Sequence, residues 1–457
     1  MTIHSDWARL LHDECPEAFH TSGVPDDTRF DVGIIDGHLQ LMCLNTEMGS
    51  WERFLWAVFV QPIRRLFDAG CPTVVLCFDA YDQVPTYKSM TQLKRVSRVT
   101  ACEFRPEQSL PDDIPEEAMT YLMNRHFKLK VVQLALSRVP QLLQTTLAAI
   151  PERRLVIDYK SVVEYAASSG ITPLPLGDLA PMGESDVKYV RYVERYGNAL
   201  VHAVDGDYLT IALLYYAKNG LRDDNRIFLF RQLSLLGGTH KEDMPSGKRK
   251  RADTTKPKAK PPKCWVDMQL LYLVIAQSVR QSGVSGLHPT TLEPFGEGDW
   301  VNAAVMLMLC AGTDFSRSLP LLGPRRLWEH LPAVANSLVQ AAHLDTTPNV
   351  QLLGDAVIGK LYRIVFEKHV PCDTPSNLSC VLTNLKTRSR LAASTRTRLP
   401  SESQVRVTLE NIAWVIKYWT TVNGSTPSPL DGSHGFVRCP VSGRPTFSDL
   451  IPSPSPL

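Results

Sequence analysis

Two short runs, DVGIID (Asp31–Asp36) and PTVVLCFD (Pro72–Asp79), are almost wholly apolar and rich in β-branched residues. Runs of this kind do not alternate, so they fit strands covered on both faces, as in a parallel sheet. The stretch between them, SWERFLWAVFVQPIRRLF (Ser50–Phe67), has helical character. Strand, helix and strand in this order make a β-α-β unit with a right-handed crossover. ALVHAVD (Ala199–Asp205) repeats the strand pattern, and RRLVIDY (Arg153–Tyr159) and NRIFLF (Asn225–Phe230) supply further strands. Helices are expected over Glu116–Leu147, Asp186–Tyr196 and Trp300–Cys310. The alternation predicts an α/β fold with a mostly parallel central sheet flanked by helices.

Three of these strands close on an aspartate: Asp36, Asp79 and Asp205. In an open parallel sheet the carboxyl ends of the strands line the crevice where ligands bind. The stretch GESDVKYVRYVERYGNALVHAVDGD (Gly183–Asp207) adds Glu184, Asp186 and Asp207. If the strand continues, Asp205 and Asp207 share one of its faces, with Gly206 leaving room for close approach. Glu184 and Asp186 converge only at a loop-to-helix junction, which Gly183 provides and where a helix N-terminus favours carboxylates. Taken singly, a strand-end aspartate is more often a turn former or helix cap. Gathered in one crevice, carboxylates repel one another and stay ionised together only beside divalent cations. An all-oxygen donor set suits Mg²⁺ or Mn²⁺. Two such ions ~3.5–4 Å apart equip a site for in-line attack of water on a phosphodiester.

Phosphate also calls for cations from the protein. VPTYKSMTQLKRVSR (Val84–Arg98), directly after Asp79, carries Lys88, Lys94, Arg95 and Arg98. On a helix Lys88 and Arg95 lie two turns apart and share a face, placed to clamp a scissile phosphate. Without the acids such a stripe reads as a solvated face.

With these residues in view, the chain resembles the flap endonuclease/XPG superfamily of structure-selective 5′ nucleases. TIHSDWARLLHDECPEAF is similar to that family's start, and IIDG and CFDAYDQVPTYKSMTQLKR to its two N-terminal metal strands and following basic helix. GESDVK and AVDGD match its paired internal acids, and LCAGTDFSRSLPLLGPRRLWEHL its last metal aspartate and helix–two-turn–helix element. The resemblance covers roughly residues 1–100 and 180–335. It implies a PIN-like 5′ nuclease fold with a helical arch. The implied metal ligands are Asp36, Asp79, Glu184, Asp186, Asp205, Asp207 and Asp314, holding two Mg²⁺ or Mn²⁺. It gives Lys88 and Arg95 the catalytic role of engaging the scissile phosphate, and Lys94 and Arg98 a supporting place on DNA. Gly323, with Arg325 and Arg326 beside it, falls in the turn that contacts a duplex phosphate, where a K⁺ ion is also implied.

The implied activity is Mg²⁺-dependent hydrolysis of DNA at 5′ flaps, nicks or branches, as an endonuclease or 5′–3′ exonuclease in DNA replication or repair. Alternatives are the same chemistry on RNA, RNA–DNA primers or four-way junctions, or an inactive nucleic-acid-binding scaffold. The implied partner is branched or flapped DNA, bound by a monomer. Some positions depart from the family pattern: Thr2 replaces a glycine, Asp186 a common glutamate, and Met42 a stacking tyrosine. The base-stacking platform is then either lost or supplied by Trp51 or Trp56. No sliding-clamp docking motif stands out near the C-terminus.

The expected organisation is an N-terminal nuclease region (1–105), a helical arch or insert (106–180), and an internal nuclease region (181–235). A basic disordered linker (236–264), the end of the nuclease core with the helix–two-turn–helix element (265–340), a C-terminal helical region (341–422) and a Pro/Ser-rich tail (423–457) follow. In the insert, YLMNRHFKLKVVQLALSRVPQLLQ fits either an arch that threads a single strand or a packed amphipathic helix. The linker carries eight Lys or Arg against one Asp between Lys248 and Lys263, a composition that suits a nuclear-import signal or a phosphate-binding tail. The expected location is therefore nuclear, otherwise cytoplasmic. Net charge is only +2 and the ten cysteines show no C-x-x-C pair, which suits free thiols in a reducing compartment. The N-terminus lacks a signal-peptide pattern, and no apolar run approaches the ~18 residues of a membrane span.

Overall fold

In the computed structural model, the described residues are 4–25, 28–44, 46–80, 103–170, 172–179, 182–203, 205–232, 263–282, 294–313, 318–341, 348–371, 374–375, 377–387, 391–420, 436–438 and 445–447. The apolar runs form strands of one nine-stranded sheet. Its strands are β1 (Phe19–His20), β2 (Val32–Asp36), β3 (Thr73–Cys77), β4 (Arg154–Asp158), β5 (Val162–Ala166), β6 (Leu174–Pro175), β7 (Ala199–His202), β8 (Ile227–Gln232) and β9 (Lys263–Asp267). Their order across the sheet is β1-β9-β8-β7-β2-β3-β4-β5-β6. The five central strands, β8-β7-β2-β3-β4, pair in parallel. Both flanks pair antiparallel, so the sheet is mixed where the sequence suggested a mostly parallel one. The reason is local: β4 and β5 are joined by the three residues 159–161, too few for a crossover.

Burial explains the continuous apolar runs. On one face Val32, Ile34, Val75, Cys77, Val156 and Val201 pack under the helices Ser185–Tyr196, Asp207–Asn219 and Glu297–Cys310. On the other, Ile35, Val74, Leu76, Leu155 and Ile157 meet Phe54, Phe59, Ile63 and the helix Arg125–Leu142. This makes three layers, helices on both sides of a sheet. The first layer continues into the C-terminal region, where the helix Glu402–Trp419 buries Leu409, Ile412 and Trp414 in the same core. The N-terminal helix His4–Glu14 joins it too: the Trp7 indole donates to the Met308 carbonyl at 3.2 Å.

The stretch Ser50–Phe67 is helical, with a π-turn at Trp56–Val60 between the helices Trp51–Leu55 and Gln61–Asp68. The expected helix Glu116–Leu147 is three helices, Ala118–Leu122, Arg125–Leu142 and Gln144–Ala148. Asn124 breaks the first from the second by capping the Arg125 helix through its side chain. That longer helix buries Phe127, Val131, Val132, Ala135 and Val139, so the KLKVVQLALSR pattern is a packed amphipathic face. Residues 106–180 also give β4, β5 and β6 to the central sheet. Among the described residues no helix is long and apolar enough to cross a membrane.

Gly37, the residue after Asp36, lies against the Phe78 ring: a Cβ there would stand 2.6 Å from Cε1. Gly37→Ala is expected to cost about 1–3 kcal/mol by forcing the ring aside, measured as a lowered urea midpoint at unchanged slope.

Candidate metal centre

The chain runs from β2 outward through β3 to β4, then returns to the opposite side of β2 with β7 and β8. The reversal between β2 and β7 is a topological switch point, the place where an open sheet leaves a crevice at its carboxyl edge. The sequence puts its acids there. Asp36 is the last residue of β2 and caps the helix Gly37–Leu41, its Oδ1 accepting from the amides of His38 (2.9 Å) and Leu39 (3.1 Å). Asp79 lies two residues past β3, and its Oδ1 accepts from the Ser185 amide at 2.8 Å. The Ala80 amide donates to the Gly183 carbonyl. These two bonds fasten the end of β3 to the segment that opens the next helix.

Glu184 is the cap residue of the helix Ser185–Tyr196, and Asp186 is in its first turn. The loop-to-helix junction expected from Gly183 is thus present. The other pair is arranged differently from the expectation. β7 ends at His202, so Asp205 stands in the following loop and Asp207 opens the helix Asp207–Asn219. Gly206 already has helical angles (φ −67°, ψ −26°). A helical turn, and not a strand, brings the two acids together, and the Asp207 amide donates to Asp205 Oδ1 at 3.3 Å.

One carboxylate oxygen each from Asp186, Asp205 and Asp207 lie within 4.8 Å of one another. Asp207 is 0% exposed, Asp186 1% and Glu184 2%. At an effective dielectric of about 20, each pair of charges at that separation costs about 3.5 kcal/mol. The donor set is all oxygen and gathered to one point, which fits a hard divalent cation such as Mg²⁺ or Mn²⁺. Residues 186, 205 and 207 would hold it, with Asp36, Asp79 and Glu184 around them.

Other expected residues fall elsewhere. Asp314, Lys88, Lys94, Arg95 and Arg98 lie outside the described residues, as do positions 248–262 of the basic run. Gly323 is exposed and caps the short helix Pro324–Glu329, while the left-handed residue of that turn is Leu321 (φ 68°). Arg325 pairs with Glu329 at 3.0 Å, and Arg326 donates to the Leu321 carbonyl at 3.1 Å. Trp51 is packed against Phe54 and Phe127, whereas Trp56 is exposed beneath Arg64.

Three neighbours of the site were not among the expected residues. His38 Nδ1 accepts the Asp79 amide at 3.0 Å, and its ring meets Phe78 edge-on. The Ser185 hydroxyl lies 3.5 Å from Asp36 Oδ1. Asp158, the last residue of β4, is neutralised by Lys188 and Arg191 of the Ser185–Tyr196 helix. A reading that extended the strand-end aspartates to RRLVIDY would have reached Asp158, and the i, i+3 spacing of Lys188 and Arg191 would have reached its partners.

Tyr208 reports on the charge here. Burial pushes its phenol well above the ordinary tyrosine value, and the carboxylates of Asp36 and Asp186 push it further. Tyr189 is raised by burial, with Tyr216 and Asp186 adding to it. Tyr216 is raised mainly by burial, and Tyr215 to about 12.

Comparison of the chain with models of known protein families finds no match, and a search of curated proteins finds none either.

The metal-free protein should be destabilised by its own carboxylates. Millimolar Mn²⁺ is expected to raise its melting temperature. Asp205→Asn/Asp207→Asn should melt higher than the metal-free parent and show no further rise with Mn²⁺, both read by differential scanning fluorimetry. The buried tyrosines set a second expectation. Their folded-state values lie above the unfolded one, so their contribution is complete below about pH 10 and declines as pH climbs past it. Urea unfolding followed across that range should lose about 1.4 kcal/mol per pH unit for each tyrosine that ionises only on unfolding.

Proposed function

We propose that the chain is a metal-dependent phosphodiester hydrolase of the flap endonuclease/XPG type, acting on DNA with a 5′ flap, nick or branch. The observation that carries this reading is the convergence of Asp186, Asp205 and Asp207 oxygens within 4.8 Å at the carboxyl edge of the sheet. The residues around them support it. Asp36 ends β2, which pairs with β7, Asp79 lies two residues past β3 on the far side of β2, and Glu184 precedes Asp186 on the same helix cap.

In this reading the cage is asymmetric. Asp186, Asp205 and Asp207 form one tight group, while Asp36 and Asp79 are fixed by backbone amides on the neighbouring strands. Divalent ions bound there supply activation of water and neutralisation of the charge that develops on the leaving oxygen. The chain's own part is to orient the carboxylates, exclude bulk water from Asp186 and Asp207, and bring cations to the phosphate. Lys88 and Arg95 are assigned that last role. In the sequence they follow Ala80, whose amide donates to the Gly183 carbonyl. The β8–β9 connection, which carries the Lys/Arg run, also leaves the sheet at the carboxyl edge of β8. Lys and Arg runs that directly follow β3 and β8 in the sequence suit a polyanionic substrate. A PIN-like fold, the helix–two-turn–helix role of residues around Gly323, a K⁺ ion there and a nuclear setting in DNA replication or repair belong to the same proposal.

The test is cleavage of labelled 5′-flap, nicked, four-way-junction and RNA-containing duplexes in Mg²⁺ or Mn²⁺. The expected result is metal-dependent cutting of a branched DNA, leaving a 5′ phosphate and a 3′ hydroxyl. Asp205→Asn/Asp207→Asn should lose about 4 kcal/mol of transition-state stabilisation, or about 10³-fold in rate, with binding retained. Preferential cutting of the RNA-containing or junction arm moves the substrate and keeps the site. Full activity in the double variant contradicts the assignment of the metal ligands, and tight binding without cutting makes the chain a scaffold.

A further inference from the structure

The helix that presents Glu184 and Asp186 is fastened by a buried ionic group that hydrolysis itself does not use. Lys188 is 0% exposed, and its Nζ donates to the carbonyls of Phe78 (2.7 Å), Tyr159 (3.0 Å) and Asp158 (3.4 Å). The same atom lies 3.0 Å from Asp158 Oδ1. Arg191 donates to Asp158 Oδ2, and the Tyr192 hydroxyl donates to that oxygen at 2.7 Å. Asp158 is 0% exposed and Arg191 2%.

The carbonyls are the informative partners. Phe78 immediately precedes Asp79, and Tyr159 immediately follows Asp158 at the end of β4. One ammonium therefore ties the helix, two residues past Asp186, to the ends of two adjacent strands. Tyr189, the next residue, stacks on Tyr208 and donates to its carbonyl at 2.7 Å, which ties the same helix to the one that Asp207 opens. Apolar side chains of similar size would fill this volume with less desolvation, so burying two cations and a carboxylate is a poor device for stability alone. Fixing a register is the better-attested use of such a group.

We propose that Asp158, Lys188 and Arg191 are positioning residues for the metal centre. They hold the helix-borne Glu184 and Asp186 at a set distance from the strand-borne Asp36 and Asp79. The proposal rests on the acid cluster binding a divalent cation. It differs from the ligand assignment in that none of the three residues is itself a ligand.

The decisive variant is Asp158→Asn/Lys188→Met in the full chain. Replacing Lys188 alone would also remove a positive charge, which by itself favours cation binding. The pair leaves the local net charge unchanged and deletes the tie to Phe78 and Tyr159. Mn²⁺ binding, read from the free-ion electron paramagnetic resonance signal, is expected to weaken about 10–100-fold, the usual effect of losing groups that orient metal ligands. Cleavage should fall at low Mn²⁺ and recover as Mn²⁺ is raised, a recovery that simple loss of stability would not give. Tyr192→Phe, which removes one hydrogen bond from Asp158, should weaken Mn²⁺ binding less, and it decides the matter if the pair does not fold. Unchanged Mn²⁺ affinity in the folded variant overturns the positioning role alone. A wild-type chain that binds no Mn²⁺ overturns the metal centre and this role with it.

Discussion

Repulsion between carboxylates is the constraint around which this fold is arranged. Asp36, Asp79, Glu184, Asp186 and Asp207 are all buried, and three of the site's oxygens meet within 4.8 Å. The chain answers with backbone dipoles. Asp36 accepts two amides at the start of one helix, Asp79 accepts the first amide of a second, and Asp205 accepts the first amide of a third. Helices that begin at Gly37, Ser185 and Asp207 thus turn their positive ends toward one crevice, which favours negative charge there. Dipoles of this size offset only part of the cost. A divalent cation bound there, as proposed, would offset the rest, and this links the architecture to the proposed chemistry.

The rest of the structure holds that crevice rigid. Strands β7, β2 and β3 are adjacent and parallel, so their carboxyl ends stand side by side at the switch point. The helix Ser185–Tyr196 is buried from Ser185 through Val193 and touches every part of the site. Support reaches well beyond the acids. The C-terminal helix Glu402–Trp419 packs on the helices Asp207–Asn219 and Glu297–Cys310. Leu353, Leu361, Leu382, Leu409 and Trp414 of the C-terminal region therefore belong to the core that packs on the helices beside the acids.

Much of this was legible from the strand patterns. Runs covered on both faces are apolar at every position, so β2, β3, β4, β7 and β8 were each recognisable from single stretches. The acids that follow β2, β3 and β7 were equally visible, because charge at the end of such a run has no core to enter. The antiparallel flanks were less visible, since β1 and β6 are two residues long and carry no periodicity. The Asp205–Asp207 geometry was misread for a related reason. A continuing strand and a loop-to-helix junction both bring residues two apart into reach, and only the end of β7 at His202 decides between them. Asp158 closes a strand and Lys188 and Arg191 share a helix face, but that these three meet is set by tertiary packing and carries no local signal.

The most direct test of the central claim is a crystal of the full chain soaked in Mn²⁺, with anomalous scattering recorded at the manganese edge. The account predicts an anomalous peak in contact with oxygens of Asp186, Asp205 and Asp207. A saturating soak with no peak among those three carboxylates would contradict it.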